Sequence, residues 1–180
     1  MRVFTFFIII SLLTLGCNSQ IYWSSDNLLD WKDFKAEPKK KRFDANSSVG
    51  IKYEYKELKD RRIKLTLYSF FDRKKSWVNI RGKNNKLLIH EQLHFNITEL
   101  HSRKIRKAVI EDSSINGKNF NNKFKEIYKF YLQEEDNMQL NYDKETDHSR
   151  NFEKQKEWED KITKELEELK EYTDPEIIIE

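Results

Sequence analysis

The chain has 180 residues, 36% of them charged and 37% hydrophobic, and its 12 Phe, 8 Tyr and 4 Trp supply the apolar surface for one core. Wholesale disorder and a pair of large domains are thereby excluded. The balance of 34 Lys+Arg against 31 Asp+Glu leaves a formal charge of +3, which argues against a dedicated nucleic-acid binder. With 1 Cys the chain forms no intrachain disulfide and no finger-type zinc site, so any metal is held by His, Asp or Glu.

Met1-Arg2 leads into an apolar run from Val3 to Leu15, the length of a signal-peptide core and too short to span a bilayer. The run ends Leu13-Thr14-Leu15-Gly16-Cys17. This resembles a bacterial lipobox, with Thr14 where Leu is usual. Residues 1–17 are therefore expected to be a lipoprotein-type signal. Acyl chains on Cys17 would anchor the mature protein to a membrane of the bacterial cell envelope. An ordinary secretory signal is the alternative.

Residues 18–48 form an N-terminal segment with Trp23, Leu28, Leu29, Trp31 and Phe34 as apolar anchors. It closes on the basic run Lys39-Lys40-Lys41-Arg42, a solvated loop or a contact to anionic headgroups. The main domain is expected over residues 49–172. Ile51, Tyr53 and Tyr55, and then Ile63, Leu65, Leu67 and Ser69, recur with the strand period of two, so the two stretches predict a hairpin. Ser76 to Ile80 reads as a further short strand.

From Lys86 the period changes to that of helices. Leu93, Ile97, Leu100, Ile105 and Val109 predict a long helix over 87–109, and Phe120, Phe124, Ile127, Tyr128, Tyr131 and Leu132 a second. A polar segment follows, and Phe152, Trp158, Ile162, Leu166 and Leu169 predict a third helix. The tail, 173–180, with Ile177-Ile178-Ile179, reads as exposed. The fold class is α+β, a small antiparallel sheet followed by three helices.

His90-Glu91-Gln92-Leu93-His94 has the pattern HExxH and falls on the first long helix. Residues four apart on a helix are separated by about 40° and about 6 Å, so the two imidazoles can share one cation. Glu91 lies about 100° round from His90, outside the ligand set but within reach of a water that it can deprotonate. The chemistry expected of such a set is hydrolysis of an amide by zinc-activated water, with one Zn2+ per chain and Glu91 as general base. The third ligand is expected downstream, at His148, with Glu145 as the alternative; Glu99 and His101, on the same helix as the motif, are less well placed. Tyr142 is a candidate stabiliser of developing negative charge or a buried structural tyrosine.

The run from Leu88 through Ile97, followed by Glu99-Leu100 and Arg103-Lys104, resembles the family of predicted secreted bacterial zinc-dependent proteases, catalogued as domain of unknown function 922. That family reads His-Glu-Gln-Gly-His-Phe-Asp-Ile here and carries a Tyr-Asp, Glu-Thr, His-Gly segment downstream. Tyr142, Asp143, Glu145, Thr146 and His148 match it, and Ser76-Trp77-Val78 and Trp31-Lys32-Asp33-Phe34 are similar to further family features. Leu93 stands in place of Gly, Asn96 in place of Asp, and Ser149 in place of Gly. The Asn removes a carboxylate able to orient a ligand imidazole. The resemblance implies a zincin-like peptidase acting on a peptide or protein substrate. Two alternatives remain: a non-catalytic metal-binding or structural envelope lipoprotein, and an amidase acting on cell-wall peptides. An edge strand at 76–80 would be the place for an extended peptide.

Overall fold

The computed structural model describes residues 19–38, 43–59 and 62–180. The signal, Cys17 and the basic run 39–42 lie outside the described residues. At the centre is β4 (Ile63–Asp72), whose alternation turns Ile63, Leu65, Leu67, Ser69 and Phe71 to the interior. The strand β3 (Val49–Glu57) pairs antiparallel with it along one edge, Tyr53 opposite Leu67. The other edge of β4 is shared: β1 (Gln20–Tyr22) takes its C-terminal half and β6 (Glu176–Ile179) its N-terminal half. Leu65 and Leu67 are fully buried, each worth about 1.5–3 kcal/mol of transfer free energy.

The tail is thus no exposed appendage. Ile177 and Ile179 are buried in the core with Leu65 and Ile105 while Ile178 faces out, because a strand on a one-sided sheet buries alternate residues. The N-terminal segment is likewise part of the sheet through β1. The interior face is covered by α1 (Asn85–Glu111), whose first turn is capped by Asn84 Oδ1 accepting from the Leu87 N–H at 3.0 Å.

Two further helices complete the chain, α2 (Phe120–Glu145) and α3 (Phe152–Glu168). Sequence periodicity predicts the second helix only as far as Leu132, yet α2 continues for thirteen residues and carries Tyr142 and Asp143 inward. Its last turns bury Tyr142 among Leu93, Ile97, Leu100, Trp158 and Ile162, so tertiary packing extends a helix that local apolar content does not mark. The architecture is α+β, an antiparallel sheet with three helices.

A separate two-stranded ribbon pairs β2 (Ala45–Asn46) with β5 (Trp77–Val78). It is tied down by Gly82, where a Cβ would lie 2.7 Å from Asp44 Cβ, and by the Asn79 N–H donating to Asp44 O at 2.7 Å. Among the described residues no helix is long and apolar enough to cross a membrane.

Candidate metal centre

The antiparallel pairing of α1 with α2 builds the site one helical turn at a time: His90 meets Asp143, His94 meets Gln139, and Thr98 meets Glu135. Residues at i, i+4 and i+8 on one helix face their counterparts on the other, which is why the HExxH spacing finds partners four apart on α2. Across the gap, the segment 43–49 with β2 forms the opposite wall of a cavity of about 450 Å³. His90, Glu91, His94, Asp143 and His148 all line it.

Each imidazole is fixed through its Nδ1. His90 Nδ1 lies 3.1 Å from Gln155 Oε1, which also accepts from the Tyr142 hydroxyl at 2.9 Å. His94 Nδ1 lies 2.6 Å from Gln139 Oε1, and the amide NH2 of Gln139 donates to His94 O at 3.0 Å. An amide oxygen only accepts, so both Nδ1 atoms carry a proton, and in the neutral imidazoles both Nε2 atoms present lone pairs. Those Nε2 atoms are 3.2 Å apart, and Asp143 Oδ1 stands 3.1 Å from one and 3.2 Å from the other.

With both rings neutral, three acceptor atoms at such separations repel one another unless a proton or a metal ion lies between them. Tetrahedral ligands with bonds of about 2.0–2.1 Å sit about 3.3–3.4 Å apart, close to the spacing of this group. His90, His94 and Asp143 therefore form a set that could hold a metal ion. Electrostatics at the site agree. Burial opposes charge on His94, yet the hydrogen bond that its protonated ring donates to Asp143 and the negative charges of Glu91 and Asp143 raise its affinity for a proton. Burial also acts against ionised Asp143, but the two imidazoles hold its carboxyl well below the usual carboxylate range. The position between these groups favours positive charge.

Glu91 is 4% exposed, and its carboxylate has no hydrogen bond or ion pair among the described residues. The side chain grouped with His90 and His94 is Asp143; neither His148 nor Glu145 belongs to that group. His148 lies beside the group, its Nδ1 3.3 Å from Asp143 Oδ1 and its ring against Phe43. It is carried there by a left-handed turn in which Asp147, His148 and Ser149 all have positive φ, 46°, 50° and 76°. Glu145 turns away to accept from Trp158 Nε1 at 2.8 Å, because two residues beyond Asp143 on a helix is about 200° round.

Tyr142 is fully buried, with its ring stacked on His90 and its hydroxyl against Gln155 and His90 O. It supports the His90 ring from behind and does not line the cavity. Glu99 is buried in ion pairs with Arg103 and Arg106, and His101 Nδ1 donates to Ile97 O at 2.9 Å. Asn96 does not face the ligands: its Oδ1 accepts from Trp23 Nε1 at 2.9 Å and from Gln92. The segment 76–80 does not line the cavity; the wall is the 43–49 segment that pairs with it through β2.

Sequence reasoning missed Asp143, Gln139 and Gln155 in their roles. A signal for Asp143 was present in the family-like Tyr142-Asp143 pair. The glutamines carry no motif, and only the helix register reveals them. No curated protein and no solved structure matches the chain. The family model described as "Bacterial protein of unknown function (DUF922)" matches residues 29–149, more than half of the chain and all of the wall, motif and Asp143 just described, and the chain belongs to that family.

Proposed function

We propose that the protein is a zinc-dependent metallopeptidase with a zincin-like catalytic arrangement, exported and held to a bacterial envelope membrane by acylated Cys17. His90 Nε2, His94 Nε2 and the Asp143 carboxylate would hold the ion; a set of two neutral imidazoles and one carboxylate suits zinc. The chemistry zinc supplies when bound is Lewis acidity toward a carbonyl oxygen and toward water.

The observation that carries the reading is Glu91. Its carboxylate opens on the cavity beside the candidate ligands with no hydrogen bond or ion pair among the described residues, which leaves it free to accept a proton. Glu91 takes one from the attacking water as oxygen bonds to the scissile carbonyl carbon. The same carboxyl then gives that proton to the amide nitrogen as the C–N bond breaks, so one residue serves as base and acid. The substrate chain has a track to follow: β2 pairs only with β5 among the described strands, and an extended peptide can add along its other edge.

Elemental analysis and a peptide screen, covering both protein-derived and cell-wall peptides, test the reading on purified protein and its Glu91→Gln variant. About one zinc per chain in both, with cleavage by the wild type alone, is the expected result. One observation favours a second reading: His148, poised beside Asp143, could complete a closed four-donor site with no hydrolytic role. Zinc retained by both proteins with cleavage by neither would establish that alternative.

A further inference from the structure

Each candidate ligand imidazole is backed by a glutamine, and a glutamine amide is symmetric enough in shape to sit either way round. With its oxygen toward Nδ1, the ring must carry its proton there and offer the Nε2 lone pair to the centre. Turned over, the NH2 would face Nδ1, force the proton onto Nε2, and aim it at the other acceptors. Ligation thus depends on something that fixes the amide, and in both cases a carboxylate stands behind it.

Behind His94, the Gln139 NH2 donates to Thr98 Oγ1 at 3.2 Å, and the Thr98 hydroxyl donates onward to Glu135 Oε1 at 2.6 Å. Thr98 has one proton and a competing acceptor in His94 O at 3.2 Å. Glu135 draws that proton away and so leaves a hydroxyl lone pair and His94 O for the Gln139 NH2. Behind His90, the Gln155 NH2 donates directly to Glu159 Oε1 at 3.0 Å. Glu135 is 6% exposed and has no basic partner among the described residues, so its burial is not that of an ion pair. The hydrolytic steps above do not use it.

We propose that Glu135 and Glu159 are positioning residues: acting through Thr98–Gln139 and through Gln155, they lock the amide orientations that present His90 and His94 to the metal by Nε2. The inference rests on the metal-centre reading and adds to it the reason the imidazoles bind in that tautomer. Hydrogen bonds in such chains polarise one another, and a terminal anion strengthens every donor before it.

The test is the zinc affinity of the full chain, measured by competition with a chromophoric chelator for wild type, Glu135→Leu, Thr98→Val and Glu159→Leu. NMR of the zinc-loaded proteins reads the His90 and His94 Nδ1–H resonances, and urea unfolding of the zinc-free proteins separates a general loss of stability. Glu135→Leu and Glu159→Leu are each expected to bind zinc ten- to a hundred-fold more weakly. Each should also lose exchange protection at the Nδ1–H of its own histidine and keep it at the other; Thr98→Val should match Glu135→Leu.

Zinc affinities within two-fold of wild type, with both Nδ1–H signals unchanged, would overturn the proposal. So would weakened affinity without any histidine-specific change. If Glu135→Leu does not fold, Glu159→Leu on the half-exposed face of α3 decides alone. Failure of the underlying reading looks different: a wild-type chain that takes up no zinc removes the centre, and the proposal with it.

Discussion

Glu91 and Glu99 lie two turns apart on the same helix and are equally buried, 4% and 3% exposed, yet their surroundings are opposite. Glu99 is saturated: Arg103 Nε at 3.0 Å and Arg106 at 2.7 Å hold one oxygen, and the Ser69 hydroxyl contacts the other. Arg106 itself is satisfied by Leu67 O and Tyr172 O, so the cluster ties α1 to the sheet and to the chain beyond α3. Glu91 has the cavity in front of it and no such partner. Burial alone therefore does not distinguish a carboxylate locked in a structural network from one left facing a cavity; the presence of partners does.

Exchanging the two carboxylates for amides should separate their roles sharply. Glu91→Gln is expected to lower peptide turnover by about 10²–10⁴-fold, since a general base is lost, while zinc content and unfolding midpoint stay at wild-type values. Steady-state kinetics beside urea unfolding give both readings from one preparation. Wild-type turnover in this variant would make Glu91 as structural as Glu99.

The converse holds for Glu99→Gln. Removing one charge from a buried network leaves Arg103 and Arg106 uncompensated, a loss of about 3–5 kcal/mol, to be read as a lower urea midpoint. Zinc bound per folded molecule should not change, because Glu99 points toward the sheet. A stability loss under about 1 kcal/mol would show the cluster to be dispensable.

His101 extends the comparison to a third group on α1, buried in neutral form. Burial pushes its imidazole down to about 4, against about 6.5 in the unfolded chain. Between those values the unfolded chain binds the extra proton, so the contribution of His101 is complete above pH 6.5 and is lost as pH falls toward 4. The loss amounts to roughly 3 kcal/mol. In zinc-free protein His101→Gln should flatten that part of the stability profile, measured by urea unfolding at pH 7.5 and 4.5. Parallel profiles for variant and wild type would refute the assignment.

What could be read from the sequence follows from how far each signal is local. The strands around Ile51 and Leu65 and the helix bearing His90 and His94 announce themselves through periodicity, because alternate or fourth residues must all be apolar to face one core. β6 has the right residues but only four of them, and nothing nearby in sequence says that the edge of β4 is free to receive them. The end of α2 is polar along most of its surface, so its continuation to Asp143 depends on packing against α1 and α3. Asp143 becomes a ligand candidate only once α2 is known to run past it in register with α1, so the downstream segment offers His148 and Glu145 first. Glu91 could be singled out because its place beside His90 and His94 follows from spacing within one helix, whereas Gln139, Gln155 and Glu135 depend on contacts between helices.

The smallest effect concerns the turn that delivers His148 to the cavity. Ser149 has φ 76°, at the position where the resembling family carries Gly, and a non-glycine residue pays about 1–2 kcal/mol for left-handed backbone. Glycine removes that strain but loses more entropy on folding, about 0.5–1 kcal/mol. Ser149→Gly should therefore stabilise the chain by a net of about 0.5–1 kcal/mol, read as a raised urea midpoint. Strain kept beside a candidate site can hold a side chain in place, so the same variant tests whether His148 needs it. If the extra freedom lets His148 leave Asp143, zinc affinity should fall even as the fold gains stability. If both rise together, the left-handed turn is a cost that the site does not use, and His148 stands by Asp143 on the strength of its contacts with Phe43 and the carboxylate alone.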